Sequence, residues 1–553
     1  MLSFIDHYPY ENEPTADHVE QLEGFAAPGQ TATMSVSLNT QMESLSVSVD
    51  SAALADGAKV IPQECMQLYV VKQWEQAGVG IYQRDRLVVR ELLLKDDEEC
   101  LNDGYSAKVK HWKHLIKPFD LYDAPDVRLD GAVRTTVGKR QPKQLWVSID
   151  VPSDQAPGEY VGTLQFNSGT NQTLRVRLMV HAFTLAEPRQ DRLIWYRGSL
   201  NWRSRQYFIE PEVMYKQFQD IFDHGFNSIS LWDSDNRLLQ QSLDMLIEIG
   251  FTGHVVFMQP YPDRLDQLRL GPLTPVYYVS DELDVKLDYP TEDPVPLIER
   301  HKSNSLRADK VGAKKFASLL TDSFVSRLEN KNDIGHRPDF VSLFMPTARD
   351  SFFCQSELPP PQRITTYYYW HSHMEKPNVH RVLAGLYLWK SGMDGISPFC
   401  YQFMPIYPFS PFNDFDEWMP GLQVGGDKGA FKDPMTTYPA RHGSIRTLQW
   451  EGLREGIIDL KYITTLHNAL QHYERSGADM AEVAEIRERM AAILKRIDLR
   501  EIDVLSNTEM EPYATISPRE YDQFRRQMAM DILHINQLNA RSQLVETGSA
   551  GQH

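Results

Sequence analysis

Two adjacent carboxylates, Asp281 and Glu282, close the segment Pro275-Val-Tyr-Tyr-Val-Ser-Asp281-Glu282. The aromatic and β-branched residues before them predict a buried strand, with the acids at its exit. Neighbouring acids repel, and the less solvated of the two has its pKa pushed upward. One carboxyl then keeps its proton at a pH where the other is ionised, the condition for acid/base cleavage of a glycosidic bond. The same two acids would also suit a solvated loop start, so their meaning depends on the elements around them.

Other side chains are candidates for holding a sugar, because aromatic faces stack on the apolar faces of sugar rings. Trp195, Tyr196 and Trp202 form a candidate stacking platform, and Trp232 stands beside Asp233, a carboxylate for sugar hydroxyls or for capping a loop. In Tyr367-Tyr-Tyr-Trp370-His371-Ser-His373, the residues Tyr368, Trp370 and His371 are candidate sugar contacts, with core packing as the alternative. His371 and His373 would share a strand face, but no third ligand is evident, so no metal is expected. From Trp450, a helix places Glu451, Arg454 and Glu455 within reach of one another. That spacing suits an ion-pair network fixing the helix to its neighbours, or a contact from Arg454 to sugar hydroxyls.

The elements that position these residues fall into three blocks. Residues 1–188 alternate with the period of half-buried strands, as in Met34-Ser-Val36-Ser-Leu38 and Leu45-Ser-Val47-Ser-Val49. Tyr160–Phe166 and Leu174–Val180, separated by Asn167-Ser-Gly169-Thr-Asn171, predict a hairpin. A β-sandwich is the expected architecture. After the polar, proline-containing Glu187-Pro188-Arg-Gln-Asp191, strand-like and helix-like segments alternate through 189–472. Strands are expected at Phe226–Asp233, His254–Pro260, Val276–Asp281, Phe340–Pro346 and Gly395–Tyr401, and helices at Pro211–His224, Val311–Glu329 and Val379–Ser391. This alternation implies a (β/α)₈ barrel of the TIM type, whose functional groups sit where strands end. Residues 473–545 carry apolar stripes at helical spacing, with Ser517-Pro518-Arg-Glu520 as a capping box, and 546–553 is expected to lack structure.

Bulk properties narrow the function classes. The chain of 553 residues has 42% hydrophobic and 24% charged residues, an ordinary globular balance. A net charge of −18 without a basic cluster argues against nucleic acid. No apolar run is long enough to enter a membrane, and the acidic N-terminus lacks signal-peptide character, so a cytoplasmic protein is expected. Four cysteines lie far apart with no metal-binding spacing.

Three segments together resemble glycoside hydrolase family 123 and the related domain of unknown function 4091. They are Gln144-Leu-Trp-Val-Ser-Ile-Asp-Val-Pro with Ala156-Pro-Gly158-Glu-Tyr-Val-Gly162-Thr, Val276–Glu282, and Trp450-Glu-Gly-Leu-Arg454-Glu-Gly456-Ile-Ile-Asp459-Leu-Lys-Tyr462. The last is similar to the family's W-E-x-x-R-E-G-I-x-D-x-x-Y helix almost residue for residue. The family's acid pair is usually followed by proline, where this chain has Leu283.

The resemblance implies cleavage of β-linked N-acetylhexosamine, most simply N-acetylgalactosamine, in an oligosaccharide or glycoconjugate, without metal or organic cofactor. It also implies a substrate-assisted mechanism, with Glu282 as acid and base and Asp281 orienting the 2-acetamido group. Tyr401 and Tyr407 are then candidates to hold the acetamido carbonyl. Two other readings stay open. A barrel glycosidase for a sugar without an acetamido group would pair Glu282 with a second carboxylate such as Asp233 or Asp350. A non-catalytic carbohydrate-binding protein would need only the aromatic platform.

Overall fold

The computed structural model describes residues 2–11, 13–77, 86–97, 132–139, 142–203, 208–233, 235–258, 265–288, 294–319, 324–331, 333–343, 364–370, 377–402, 435–440, 443–476, 481–497 and 516–549. Two sheets form the N-terminal part. Leu2–Asp6, Thr31–Thr40, Lys143–Asp150, Met66–Ala77 and Arg86–Leu94 pair in that order in one. Gln21–Ala26, Asn171–Val180, Gly158–Asn167, Ser44–Ser51 and Val133–Gly138 order the other, with Leu54–Asp56 and Lys59–Ile61 at its side. Alternate residues face a shared core, including Val36 and Leu38, Val47 and Val49, Leu145 and Val147, and Leu164 with Leu174. The expected hairpin is present, in register from Gly158↔Val180 to Asn167↔Asn171. Gly169 takes the left-handed conformation its turn demands, at φ 78°.

Eight parallel strands then close a barrel. They are Asp191–Ile194, Ser228–Leu231, His254–Phe257, Thr274–Ser280, Lys314–Leu319, Phe340–Leu343, Thr365–Tyr368 and Gly395–Ile396, the first pairing with the last. One expectation is overturned here. The span Val311–Glu329 is not one helix: a helix ends at Val311, the fifth strand occupies Lys314–Leu319, and a short helix follows at Val325–Glu329. Gly312 makes the break, at φ 71°, with Ala313 donating back to the Ala308 carbonyl at 3.0 Å. A left-handed glycine ends a helix because no Cβ opposes that conformation.

The C-terminal region is helical, with Leu448–Arg475, Ala481–Arg496 and Pro518–Ser549. The capping box closes both ways: the Ser517 N–H donates to Glu520 Oε2 at 2.9 Å and the Glu520 N–H to Ser517 Oγ at 3.3 Å. This last helix runs into the segment 546–553 expected to lack structure. Among the described residues no helix is long and apolar enough to cross a membrane.

The helix Leu448–Arg475 joins the parts. Asp459 accepts from Arg381 Nε at 2.7 Å and from Arg525 Nε at 2.6 Å, linking the helix Pro377–Val382 to Pro518–Ser549. Glu455 accepts from Thr33 of the sandwich at 3.0 Å and pairs with Arg525. Tyr462 donates to Gln30 at 2.9 Å. On the barrel side, Trp450 Nε1 donates to Asp220 at 2.9 Å, and the indole stacks on Phe226 at 5.2 Å. Burial alone would raise Glu451, but Arg454, His224 and Arg446 more than offset it and hold the carboxyl at about 2. Such a network is unforgiving, since removing one partner strands a buried charge at a cost of about 3–5 kcal/mol.

Close approach makes the network possible. A Cβ on Gly456 would collide with the Arg381 carbonyl and one on Gly452 with the Pro377 carbonyl, while one on Gly385 would sit 2.7 Å from the Gly456 carbonyl. These are backbone atoms and cannot swing aside. Gly456→Ala is therefore expected to lower the unfolding free energy by about 2–3 kcal/mol in urea titration. Gly312→Ala, strained in backbone but with open space around its Cβ, should cost only about 1 kcal/mol. Equal losses in the two variants would remove close packing as the reason for Gly456.

Candidate active site

The fourth barrel strand, Thr274–Ser280, delivers Asp281 and Glu282 to the C-terminal mouth of the barrel. Val276 and Val279 are buried, and Tyr278 reaches across the interior to Trp195, just past the first strand, ring centres 5.1 Å apart and edge-on. The Tyr278 hydroxyl donates to Asp281 Oδ1 at 2.6 Å. The chain then turns at Glu282, whose φ of 45° lies in the left-handed region. A residue with a Cβ pays roughly 1–2 kcal/mol for that conformation. The turn enters the helix Leu283–Asp288, with the Lys286 N–H on the Glu282 carbonyl at 3.1 Å. Leu283, in place of proline, is buried in a cluster with Leu319, Phe324 and Val325, which anchors the turn.

The two acids have different surroundings. Asp281 is exposed, with Lys286 Nζ at 3.0 Å from Oδ2. Glu282 is half-buried, and its burial, followed by the Asp281 charge, pushes its carboxyl up to about 7 against a smaller opposing pull from Lys286. A carboxyl at that value can give up and regain a proton near neutrality.

The other candidates divide by strand parity. Tyr367 points into the barrel, donating to Asp191 Oδ2 at 2.7 Å, two strands away. Tyr369 follows on the same side, and burial and then the charges of Glu282 and Asp281 push its phenol up, which puts it within reach of their field. Sequence reading passed over Tyr369 in favour of its neighbours. Tyr368 and Trp370 instead face the helical layer, where Tyr368 packs on Tyr387 at 5.3 Å and Trp370 donates to His380 at 3.1 Å. Trp195 is buried beneath the mouth, donating to the Ser397 carbonyl at 3.1 Å. Tyr196 turns outward and donates to Gln217 of the helix Pro211–Asp223 at 2.7 Å.

Trp232 is half-buried with the Arg197 guanidinium 5.1 Å over its ring, and Arg197 also lies 6.0 Å from the Phe399 ring. Asp233 caps a loop: it accepts from Ser199 Oγ at 2.5 Å and from the Leu200 N–H at 3.1 Å, fixing the turn before Trp202. Trp202 is 71% exposed, the accessible aromatic of the expected platform. Tyr401 is buried away from solvent, donating to Asp220 at 3.0 Å. Arg454 sits between helix and sandwich, paired with Glu451 and donating to Thr33 at 3.0 Å. These two belong to the junction, where the Tyr401 hydroxyl is held by Asp220 and the Arg454 guanidinium by Glu451 and Thr33. His371, Tyr407 and Asp350 lie outside the described residues.

Among solved structures, the chain superposes on a family 123 glycoside hydrolase from Clostridium perfringens, studied for glycolipid glycan hydrolysis. The match covers 98% of this chain and 100% of that one, with a TM-score of 0.64 at 10% identity. The two share a fold. A Bacteroides ovatus GH5 xyloglucanase in complex with a heptasaccharide matches at 7% identity over 79% of this chain and 98% of that one, with a TM-score of 0.27. A GH5_18 structure from Streptomyces cattleya with GlcNAc matches at 9% identity over 50% and 81%, with a TM-score of 0.31. Both scores are too low to carry weight. No protein-family model and no curated protein matches.

The proton on Glu282 has a measurable signature. Its pKa is raised on folding to about 7, so its stabilising contribution is complete below the ordinary carboxylate value and lost as pH rises through about 7. Glu282→Gln removes that penalty. Urea unfolding should find the variant more stable than the wild type near pH ~8, with the gap closing towards pH ~4. A gap independent of pH would show that Glu282 is not the group held protonated.

Proposed function

We propose that the chain is a glycoside hydrolase that cleaves β-linked N-acetylhexosamine, with N-acetylgalactosamine as the sugar, by a substrate-assisted retaining route. The observation that carries this is a carboxyl held at about 7 next to a second carboxylate, at the exit of a barrel strand. The shared fold with a family 123 enzyme supports it, as does the resemblance of Val276–Glu282 and of the helix from Trp450.

In this reading protonated Glu282 donates to the glycosidic oxygen as the C1–O bond breaks, and the substrate's own acetamido oxygen bonds to C1. Asp281 accepts from the acetamido N–H, stabilising the positive charge of the forming oxazoline. Glu282, now ionised, takes a proton from water; that water attacks C1, reopens the oxazoline and regenerates the β-sugar. No enzyme nucleophile is required, which sets this route apart from the two-carboxylate scheme. Asp233, a second carboxylate for the rival scheme, is buried and engaged by Ser199 and Leu200. Trp202 and Trp232 offer ring faces for the glycan, and Tyr369 a phenol within reach of the acids' field.

Aryl N-acetyl-β-galactosaminide and aryl β-galactoside separate the readings. The wild type is expected to hydrolyse the first and not the second, and Glu282→Gln to lose about 10²–10⁴-fold in kcat. Hydrolysis of the β-galactoside would overturn substrate assistance and call for a second catalytic carboxylate. Absence of hydrolysis on both would remove this activity.

A further inference from the structure

Lys286 lies one turn beyond the acids and grips Asp281 twice. Its ammonium donates to the Asp281 carbonyl oxygen at 2.7 Å and to Oδ2 at 3.0 Å. From the opposite side the Tyr278 hydroxyl holds Oδ1 at 2.6 Å. Tyr278 is itself fixed by its edge-on contact with Trp195 deep in the barrel. Asp281 is thus clamped between a rigid interior phenol and a cation on the following helix. Among the described residues each carboxylate oxygen has one such donor, short of the two it can accept.

The pair is exposed, 42% for Lys286 and 60% for Asp281, and ion pairs this wet add little to stability. Its consequence is orientation and charge. Among the described residues, the charges that bear on Glu282 are Asp281, Asp284 and Lys286 on its own segment, and the Tyr369 phenol just past the seventh strand feels the charges of both acids. Behind them, on the helix Pro294–Val311, His301 bonds Ser280 at 3.2 Å and is kept neutral by burial, which pulls it to about 4. Lys286 is the only cation in this set. A sugar seated over the mouth displaces water, and the fields of these few charges strengthen as it does.

We propose that Lys286 is a positioning residue of the acid pair, holding the Asp281 carboxylate turned onto Tyr278 and fixed beside Glu282. The catalytic consequence rests on the glycosidase reading; the structural one does not. Lys286 touches no reacting atom; it acts by holding Asp281 and, more weakly, by its own charge on Glu282.

The test compares wild type, Lys286→Met, Lys286→Arg, Asp281→Asn and the Lys286→Met/Asp281→Asn double variant. Glu282 is followed by ¹³C NMR titration of its carboxyl, and hydrolysis of aryl N-acetyl-β-galactosaminide by its pH profile. In Lys286→Met the Asp281 charge bears on Glu282 without its counterion. The Glu282 midpoint and the alkaline limb of the profile are expected to move up together. kcat should fall about 10–100-fold with KM little changed, as for a misplaced group that acts in the transition state. Lys286→Arg should restore the midpoint and most of kcat, and in the Asp281→Asn background Lys286→Met should add little further loss of kcat and a smaller rise of the Glu282 midpoint than in the wild-type background. A Lys286→Met protein with wild-type kcat, or with a Glu282 midpoint unmoved or lowered, would overturn the proposal. Should the wild type hydrolyse nothing, the glycosidase reading falls, and the titration decides the clamp: a rise of the Glu282 midpoint in Lys286→Met that shrinks in the Asp281→Asn background supports it, and an equal rise in both backgrounds overturns it.

Discussion

Asp459 is a buried carboxylate held between two buried guanidinium groups, Arg381 and Arg525, and the assembly of the molecule turns on it. An ion desolvated to this degree is tolerated only with its partners in place. Each guanidinium comes from a different element, and the neighbouring Glu455 adds Thr33 of the sandwich. Satisfying these few charges therefore fixes how sandwich, barrel and terminal helices meet. Glycines at 452 and 456 let the helix Leu448–Arg475 approach near enough for those bonds to form. Apolar packing supplies the bulk of the driving force, and the charges select one arrangement of it.

This division of labour clarifies the motif beginning at Trp450. Its charged residues point into the junction, not into the barrel mouth. Trp450, Arg446 and Tyr401 converge on Asp220, so Tyr401 belongs with this group as well. The acid pair of the proposed reaction stands elsewhere, at the exit of the fourth strand. Most of the distinctive sequence holds the parts together.

The sequence spoke most clearly where one physical rule acted alone. The hairpin at 158–180 follows from alternation and a Gly/Asn turn, and the capping box at Ser517 from the needs of a helix terminus. Asp281 and Glu282 were legible because two acids at the end of an apolar strand are costly for stability. The fifth strand was not, since Lys314-Lys315 opens it with charge and Gly312 is the sole break from the preceding helix. Parity was the other obstacle. Within Tyr367–Trp370 alternation separates two pairs of rings, but only the bond from Tyr367 to Asp191 reveals which pair faces inward. Arg454 stayed open between an ion-pair network and a sugar contact, and Tyr401 was a candidate for the acetamido carbonyl, because their partners, Thr33 and Asp220, lie far away along the chain.

The junction also sets an order on assembly. Arg519 reaches back to Asp6 and Glu11, and Arg525 to Glu455 and Asp459, so the last helix closes contacts opened by the first strand. On the ribosome the sandwich and barrel emerge well before either arginine. Until the final helix arrives, two carboxylates destined for the interior must stay in water, and the surface they share with the sandwich stays unsealed. The nascent protein is complete in its strands before it is complete in its charges.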